Sequence, residues 1–479
     1  MGGVVYQHRQ EQPYTLVICE KPAAALRIAE ALGTANLKIL RLDVQTREKT
    51  KGLQTPVFHA LDVNGSKFLI CAAIGHLYGL VDRRNNRDIY PVFDVKWVPI
   101  VRKKGALNTK KATAAKQIIS TIAMLSLKAS RFIHACDYDQ EGELIGYNIL
   151  QYACENRYEK SMRAKFSTLT DEEIRKSFDN LFKPRAMLAE AGKTRHIIDF
   201  IYGVNLSRAL TQSFKVSNLG KKYYNLSIGR VQGPTLAFVV DREMEIRTHI
   251  PVPYWDIQAE FENNGQIIEF QYHKHRLRSL SEALSIVQAC ENQSGKVLEA
   301  TSTTTPFKAP APFNLGDLQK EAFRLYKFSP SYTLTIAEKL YLSALISYPR
   351  TSSQKLPPSI NYKKIISDLS ELCLNVPFQG NEGLVYEGNQ STYKNLAASL
   401  LSEGPLSPNE GSKTDPAHPA TYPTGQKPKG KLDIADVQLF DLIIKRFFAT
   451  FGKPALIKLT TITIQGQVSL QNKFKENYP

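Results

Sequence analysis

The chain has 479 residues and a formal net charge of +17, and 43% of its residues are hydrophobic. Its length predicts two to four domains, and the apolar content is enough to give each domain a core. The six cysteines include no Cys-x-x-Cys pair, so neither a zinc ribbon nor a disulfide framework is indicated. No signal peptide is recognisable, and no apolar run approaches the roughly 20 residues of a membrane span, which argues against a membrane protein. We therefore expect a cytoplasmic, soluble protein, and its positive charge favours a polyanionic partner.

The first part of the chain alternates strand-like and helix-like segments after a polar leader at residues 1–13. Tyr14–Cys19 is typical of a buried strand and ends at Glu20, ahead of a helix. Lys67–Ile74 is a second strand of this type, and His76 follows it closely. This alternation predicts an α/β domain over the first 160 residues.

Residues 131–149, RFIHACDYDQEGELIGYNI, concentrate acidic groups where a third buried strand gives way to a helix. Four carboxylates fall within seven residues: Asp137, Asp139, Glu141 and Glu143. Carboxylates this close repel one another unless a cation holds them, and hard oxygen ligands that leave open positions suit Mg²⁺. A solvated acidic loop beside a helix N-terminus is the alternative.

The three strands each end in polar groups, namely Glu20, His76 and the cluster that begins at Asp137. If the strands are parallel neighbours, these groups converge on one crevice, because open α/β sheets place ligand sites at the carboxyl ends of their strands.

The middle of the chain, Thr170–Ile250, is mostly helical, with Arg195 among polar residues at helical intervals. A basic and aromatic loop carrying Lys221 and Lys222 precedes Ser227-Ile228-Gly229-Arg230-Val231-Gln232.

The remaining segments suggest a β-rich domain that is interrupted by an insertion at residues 306–435. Residues 255–261 alternate like a strand, residues 267–272 look like its hairpin partner, and Leu456–Val468 could join the same sheet. The other predicted segments are a linker or domain boundary at Thr301–Pro312, helices at Leu318–Leu345 and Asp433–Phe451, and loops at Pro377–Tyr393 and Ser402–Lys431.

A second candidate catalytic motif lies in the insertion, where residues 345–356 read LISYPRTSSQKL. Tyr348 could act as a nucleophile towards phosphorus. Because a tyrosine hydroxyl has an ordinary pKa near 10, it needs a neighbouring cation to favour its ionised form, and Arg350 could supply that charge and also bind the phosphate. Because the chain has 22 tyrosines, a structural role for Tyr348 is the alternative. His418 lies in a later loop and would be incidental if taken alone.

Together these stretches resemble the type IA DNA topoisomerases, in particular the topoisomerase III and archaeal branch, over about residues 14–465. Five motifs occur in the order found in that family. They are Glu20-Lys21-Pro22, Asp137-x-Asp139-x-Glu141-Gly142-Glu143, Ser227-x-Gly229-Arg230-Val231-Gln232, Ser347-Tyr348-Pro349-Arg350-Thr351 and Asp415-x-Ala417-His418-Pro419-Ala420.

The resemblance implies a multidomain fold that combines α/β and α+β parts in a toroidal core. A metal-binding toprim α/β domain would occupy residues 14–160, and a helical DNA-binding domain residues 161–250. Residues 251–305 and 436–479 would form a β-rich arch or hinge, with the tyrosine-bearing domain inserted at 306–435.

The activity implied is cleavage of one DNA strand through a 5′-phosphotyrosine link, followed by strand passage and religation. The reaction would relax negative supercoils or decatenate, with one or two Mg²⁺ ions, without ATP and without zinc. A monomer near the nucleoid is expected, acting on single-stranded or underwound DNA, with a helicase or a single-strand-binding protein as candidate partners.

The motifs also carry roles for individual residues. Tyr348 would be the nucleophile, Arg350 and His418 would contact the phosphate, and Lys21 would hold the phosphate or protonate the leaving 3′ oxygen. Glu20 would carry a proton and assist the metal. The principal metal ligands would be Asp137, Asp139 and Glu141. The DNA path would be lined by Ser227, Arg230, Gln232, Arg195, Lys221, Lys222 and His76.

The sequence departs from the family at several positions. Gln140 stands where an arginine is frequent, Ser352 where many members have aspartate, and one extra residue precedes His418. Because the family usually continues beyond this length, the alternative function is a single-strand cleaving or binding module that lacks the closure needed to relax plasmids. A toprim primase or nuclease is disfavoured, since those enzymes lack the tyrosine motif.

Overall fold

The structure is a computed structural model that divides into two compact units. It describes residues 13–33, 40–43, 56–61, 65–84, 86, 89–102, 110–217, 225–380, 383–388, 390–402, 404–465 and 469–478. Unit one comprises Met1–Leu236, Pro312–Leu406 and Glu410–Phe447, and unit two comprises Ala237–Ala311, Ser407–Asn409 and Phe448–Pro479. Nearly all of the expected leader, and both Lys221 and Lys222, lie outside the described residues.

Unit one begins with a mixed sheet that supports the acidic cluster. Its strands and those of a separate antiparallel pair are β1 (Tyr14–Cys19), β2 (Leu40–Asp43), β3 (Pro56–Leu61), β4 (Lys67–Ala72), β5 (Tyr78–Asp82), β6 (Val95–Pro99), β7 (Ala129–His134) and β8 (Met162–Arg163). The sheet order is β2-β3-β4-β1-β7-β8, and β5 pairs with β6. Strand β1 lies between β4 and β7 and is parallel to both, which confirms the predicted neighbours.

The helices of this part pack against the sheet or continue from it. They are α1 (Pro22–Leu32), α2 (Lys110–Ser126) and α3 (Gln140–Asn148), with a 3₁₀ turn at Ile100–Arg102 and a π-helical turn at Ile149–Ala153. Every residue of β1 is buried, which matches its mostly apolar sequence, YTLVIC. Pro22 occupies the first turn of α1, where its missing N–H costs no hydrogen bond.

The region predicted to be helical contains three further helices, which confirms that prediction. They are α4 (Asp171–Asp179), α5 (Ala186–Ser217) and α6 (Gln232–Thr248). Thr170 caps α4 by accepting a hydrogen bond from the backbone N–H of Glu173.

Unit two opens with β9 (Gln258–Asn263), β10 (Gln266–Tyr272), α7 (Leu280–Cys290) and β11 (Lys296–Phe307). The predicted hairpin is confirmed, and its turn residues Asn264 and Gly265 both have positive φ, as a type I′ turn requires. The predicted linker or boundary at 301–312 is confirmed as a boundary, because the two units meet in the sequence between Ala311 and Pro312. Residues 301–307 are not a linker, however, because β11 continues to Phe307. Threonine is β-branched and favours extended strands, so this threonine-rich run forms a strand rather than a loop.

The inserted segment, residues 306–435, belongs to unit one except for residues 306–311 and 407–409, and the helix that begins at its end stays in unit one as far as Phe447. Its elements are α8 (Leu315–Tyr326), α9 (Pro330–Leu342), α10 (Tyr362–Ser370), β12 (Asn375–Gly380), β13 (Gly383–Gly388), α11 (Gln390–Ser402) and α12 (Ile434–Thr450). The predicted loop at 377–393 is wrong, because β12 and β13 pair as an antiparallel hairpin whose glycine-flanked strands lack a strong alternating pattern. The predicted helices are confirmed, and residues 404–431 contain neither a helix nor more than isolated bridges.

The last two strands complete the sheet of unit two. They are β14 (Ala455–Gln465) and β15 (Ser469–Tyr478), and the sheet order is β11-β14-β15-β10-β9. Strand β14 pairs antiparallel with β11 from Lys296↔Gln465 to Phe307↔Ala455. The predicted pairing of this late strand with a strand that precedes the insertion is therefore confirmed.

Across the part of the chain that the structure describes, the helices are too short or too polar to cross a membrane.

A buried ion pair fixes the start of α3 against the edge of the first sheet. Arg163 and Glu143 are both fully buried, and the arginine Nε donates to Glu143 Oε2 at 2.9 Å. The same guanidinium donates to the carbonyl oxygens of His134 at 3.1 Å and Asp137 at 2.8 Å. Tyr158 donates to the second oxygen of Glu143 at 2.8 Å. Glu143 is therefore a structural member of the acidic cluster.

Replacing Arg163→Met should lower the free energy of unfolding by about 3–5 kcal/mol, because it leaves the Glu143 carboxylate buried without its cation. Urea unfolding of the variant measures this. Arg131→Met, at an exposed arginine of β7, is the matched control and should change stability by less than about 0.5 kcal/mol. Equal effects of the two substitutions would contradict the structural role of Arg163.

Candidate active site

The site forms where segments far apart in the sequence meet in unit one. Tyr348 is 3% exposed, and its backbone N–H donates to the carbonyl of Ser167 at 2.8 Å. This bond anchors the tyrosine segment beside residues that follow the acidic cluster.

The Tyr348 hydroxyl donates to Asp139 Oδ2 at 2.5 Å. The other oxygen of Asp139 accepts the backbone N–H of Gly142 at 2.7 Å and so caps α3. A Cβ at Gly142 would lie 2.2 Å from the carbonyl oxygen of Asp137, so glycine is needed here for close approach to the chain. The carboxylate of Asp139 is thus fixed by a helix end and presented to the tyrosine.

Asp137 lies beside a lysine and a second tyrosine. Lys21 Nζ is 3.3 Å from Asp137 Oδ2 and 3.5 Å from Glu20 Oε1, so it bridges two of the predicted metal ligands. Tyr341 donates its hydroxyl to Asp137 Oδ1 at 3.3 Å. The side chains that follow β1 and β7 therefore converge, as their parallel pairing predicts.

Burial and mutual repulsion make additional negative charge unfavourable here. Burial, with the charge of Asp137, raises the pKa of Glu20 to about 7, and burial also raises the pKa of Asp137. Burial and the neighbouring Asp137 and Asp139 carboxylates raise the pKa of the Tyr348 hydroxyl well above its usual value. A set of buried carboxyl oxygens with raised pKa values fits a hard divalent cation, which would offset their repulsion.

His418 packs against the tyrosine, with ring centroids 4.5 Å apart. Its Nδ1 lies 3.1 Å from Ser167 Oγ, and Asp415 Oδ1 accepts the backbone N–H of His418 at 3.2 Å. Burial lowers the pKa of His418 to about 4, so the imidazole is neutral at pH 7. A neutral imidazole beside the hydroxyl can donate or accept a hydrogen bond without adding charge.

Arg350, two residues after the tyrosine, is about half exposed and pairs with Glu338 of α9. Its Nε donates to Glu338 Oε1 at 2.8 Å, and its Nη2 donates to the same oxygen at 2.5 Å. The guanidinium keeps further donors for an incoming phosphate.

Glu141 faces a different set of partners from Asp137 and Asp139. Its Oε2 lies 2.8 Å from Nε2 of both His76 and His196, and its Oε1 lies 3.4 Å from Arg195 Nη1. Hydrogen bonds from the two histidines hold the pKa of Glu141 well below its ordinary value. Its role as a Mg²⁺ ligand stays a prediction.

The residues predicted to contact DNA are mostly exposed. Arg230 donates to Asp199 at 2.5 Å, and Arg195 lies 4.0 Å from the same carboxylate. Ser227 and Gln232 are exposed beside them. Arg195 and Asp199 lie on α5, and of these DNA-contact candidates Arg195 also reaches Glu141.

Four contributors were missed by the sequence reasoning. Tyr341, Ser167, Glu338 and His196 contact predicted site residues, but nothing in their spacing links them to those residues. The one available signal was the position of His196 directly after Arg195. In contrast, the structure groups six predicted residues in one centre: Glu20, Lys21, Asp137, Asp139, Tyr348 and His418.

Two protein-family models together match most of the chain. Residues 15–169 match the toprim domain, and residues 183–478, more than half of the chain, match the family described as DNA topoisomerase.

Similar curated proteins carry corresponding names. DNA topoisomerase 1 of Pyrococcus horikoshii is 39% identical over 94% of this chain and 60% of its own length. DNA topoisomerase 1 of Methanothermobacter thermautotrophicus is 39% identical over 94% of this chain and 57% of its own length. DNA topoisomerase 3-alpha of Arabidopsis thaliana is 25% identical over 94% of this chain and 47% of its own length. The chain thus spans about 60% or less of these relatives.

A solved structure shows the same fold. Full-length topoisomerase I from Thermotoga maritima superimposes with a TM-score of 0.64 at 23% identity, over 97% of this chain and 66% of its own. The family models, the archaeal and plant relatives and this fold agree with the five motifs. This chain belongs to the type IA DNA topoisomerase family, with a toprim domain at its N-terminal side.

Proposed function

We propose that this chain cleaves and reseals one strand of DNA, with Tyr348 as the nucleophile. The observation that carries the proposal is the 2.5 Å hydrogen bond between the Tyr348 hydroxyl and Asp139, two residues 209 positions apart in the sequence. A buried tyrosine whose hydroxyl is directed at the toprim carboxylates supports a catalytic role over a structural one.

In the proposed reaction, Tyr348 Oη attacks the scissile phosphorus, and the bond from phosphorus to the 3′ oxygen breaks. The hydroxyl proton passes to the adjacent Asp139 carboxylate, and Lys21 protonates the leaving 3′ oxygen. Resealing reverses these steps, as the 3′ hydroxyl attacks and the tyrosine oxygen leaves. One phosphodiester replaces another, so no ATP is needed, and catalysis consists of positioning and charge stabilisation.

The raised pKa of Tyr348 holds the hydroxyl in its protonated form in the arrangement seen here. The guanidinium of Arg350 and the ammonium of Lys21 can each stabilise the charge that develops on the phosphate and the tyrosine oxygen. His418 restrains the tyrosine ring by packing against it in a tilted arrangement.

Glu20, Asp137 and Asp139 would hold one or two Mg²⁺ ions, with Glu141 joining them only if its contacts to His76 and His196 open. The ion supplies positive charge that stabilises the phosphate when bound. Lys21 bridges two of these carboxylates in the structure and would share that task.

The proposed substrate is single-stranded or underwound DNA, bound by Arg195, Ser227, Arg230 and Gln232, with Lys221 and Lys222 as further contacts proposed from the sequence. Strand passage that relaxes negative supercoils or decatenates, action as a monomer and cooperation with a helicase or single-strand-binding protein are further parts of the proposal. So is the division into domains at 14–160, 161–250, 306–435 and the two-part 251–305 with 436–479.

We predict that Tyr348→Phe abolishes the covalent adduct, because it removes the nucleophilic oxygen while leaving the ring to pack. The measurement is trapping of denaturant-stable protein on the 5′ end of cleaved, labelled single-stranded oligonucleotides. Tyr332→Phe, at an exposed tyrosine of α9, is the control and should trap as much DNA as the unaltered chain. Trapping by the Tyr348→Phe variant would contradict the assignment.

We predict that in the Asp137→Asn, Asp139→Asn double variant added Mg²⁺ no longer increases the rate of religation. The amides keep the shape, and asparagine can still cap α3, but the charge that holds the ion is lost. Religation of a preformed adduct, followed over a Mg²⁺ titration, measures this. Asp241→Asn, at an exposed aspartate of α6, should leave the titration curve unchanged. An unaltered Mg²⁺ response of the double variant would favour the solvated acidic loop.

The raised pKa of Glu20 predicts a pH-dependent gain in stability for Glu20→Gln. The pKa rises from 4.5 to about 7 in the folded chain, so the stability contributed by protonated Glu20 is fully present below pH 4.5 and is lost as the pH rises through about 7. Glutamine stays neutral. In the presence of a metal chelator, the free energy of unfolding of Glu20→Gln, relative to that of the unaltered chain, should rise by about 1–3 kcal/mol between pH 5 and pH 8.

Urea unfolding at the two pH values measures the gain, with Glu159→Gln at an exposed position as the control. The prediction fails if the difference between Glu20→Gln and the unaltered chain is the same at pH 5 and pH 8.

A further inference from the structure

We propose that His76, Glu141 and His196 form a second cation site, built for a borderline divalent ion such as Zn²⁺. This inference goes beyond the strand-cleavage proposal, because these residues lie apart from the contacts of Tyr348. Among the residues that the structure describes, this trio is the group of three whose ligand atoms lie close enough together to hold an ion.

The geometry of the trio is convergent. Nε2 of His76 and Nε2 of His196 each lie 2.8 Å from Oε2 of Glu141, and the three ligand atoms all lie within 4.8 Å of one another. The three side chains are 29%, 31% and 32% exposed, so an ion can reach them from solvent. A small movement of the two imidazole rings would let an ion bind to all three atoms.

The donor chemistry selects the class of ion. Two imidazole nitrogens and one carboxylate oxygen are typical ligands of Zn²⁺ and related borderline ions, with further positions left for water. Mg²⁺ prefers oxygen ligands and an octahedral shell, which this trio does not supply. The trio therefore differs in kind from the carboxylates of Glu20, Asp137 and Asp139.

Each imidazole would have to exchange its contact with Glu141 for a bond to the ion. The proton on Nε2 would move to solvent or reappear on Nδ1, so that Nε2 presents its lone pair. Nδ1 of His76 is buried without a hydrogen-bond partner among the described residues, so no other contact fixes that ring's tautomer.

Surrounding groups already orient the three ligands. Arg195 contacts Glu141 Oε1 at 3.4 Å and leaves Oε2 to face the histidines. The two imidazole centroids are 4.8 Å apart, and the Trp97 ring lies 5.9 Å from His196. Such outer contacts are the means by which proteins hold metal ligands in place.

The ligands come from three separate elements, which gives a bound ion a structural effect. His76 follows β4, Glu141 lies in the first turn of α3, and His196 lies on α5. Helix α5 approaches α3 closely at Gly192, where a Cβ would lie 2.8 Å from the carbonyl oxygen of Gln140. An ion at the trio would link the three elements and hold Glu141 away from Asp137 and Asp139.

The test is a titration of the full chain with Co²⁺, whose visible absorption reports nitrogen ligation. We expect one saturable Co²⁺ with visible bands that Zn²⁺ removes and excess Mg²⁺ does not. His76→Gln, His196→Gln and Glu141→Gln should each weaken Co²⁺ binding at least tenfold.

Two controls separate this site from its neighbours. The Asp137→Asn, Asp139→Asn double variant should keep the bands, since it alters the proposed Mg²⁺ ligands alone. His249→Gln, at an exposed histidine, should also keep them. Zn²⁺ should raise the melting temperature of the unaltered chain and of both controls but of none of the three trio variants.

The proposal is overturned if the chain shows no saturable Co²⁺ bands, if the bands persist in the trio variants, or if the aspartate double variant loses them. Circular dichroism and melting in chelator establish that each variant is folded. If one histidine variant does not fold, the other and Glu141→Gln decide the question. Loss of strand cleavage alone would bear on Tyr348 and not on this site, because Co²⁺ absorption is read without DNA.

Discussion

The site depends on the fully buried guanidinium of Arg163. It neutralises Glu143 and donates to the carbonyl oxygens of His134 and Asp137, so it fixes the turn between β7 and α3. Without it, a carboxylate would be buried unpaired, and the backbone that carries Asp137 and Asp139 would lose its support. A structural ion pair thus positions the chemical groups while taking no part in the reaction proposed for them.

From that turn, the carboxylates diverge to different partners. Asp139 caps α3 and accepts the Tyr348 hydroxyl, whereas Glu141, two residues on, faces His76, His196 and Arg195. Residues two apart on a helix point in different directions, so one short acidic motif serves two environments. Burial in the first environment raises the pKa values of Glu20 and Asp137, whereas hydrogen bonds from two histidines in the second environment lower the pKa of Glu141.

In this structure the surroundings of Tyr348 keep its hydroxyl from ionising and keep Arg350 occupied. Burial and two nearby carboxylates disfavour the ionised tyrosine, and Arg350 is paired with Glu338. Both restraints would be relieved by groups that the proposed reaction brings in, namely a phosphate for Arg350 and a cation for the carboxylates. This links the electrostatics of the site to the requirement for a divalent ion in the proposed function.

The sequence by itself determined the strands that end at Glu20, His76 and Asp137, the hairpin of residues 255–272 and the family motifs, because side-chain periodicity acts between near neighbours. The parallel pairing of those strands was a condition that the structure met. It misassigned the strand over Thr301–Phe307 and the hairpin over 375–388, where local composition resembles loops. Only the tertiary structure decided that Tyr348 bonds to Asp139, that Glu143 is neutralised by Arg163, and that Glu141 faces two histidines. Those partners lie up to 209 residues apart, and burial sets their charges, so packing between distant segments determines the site.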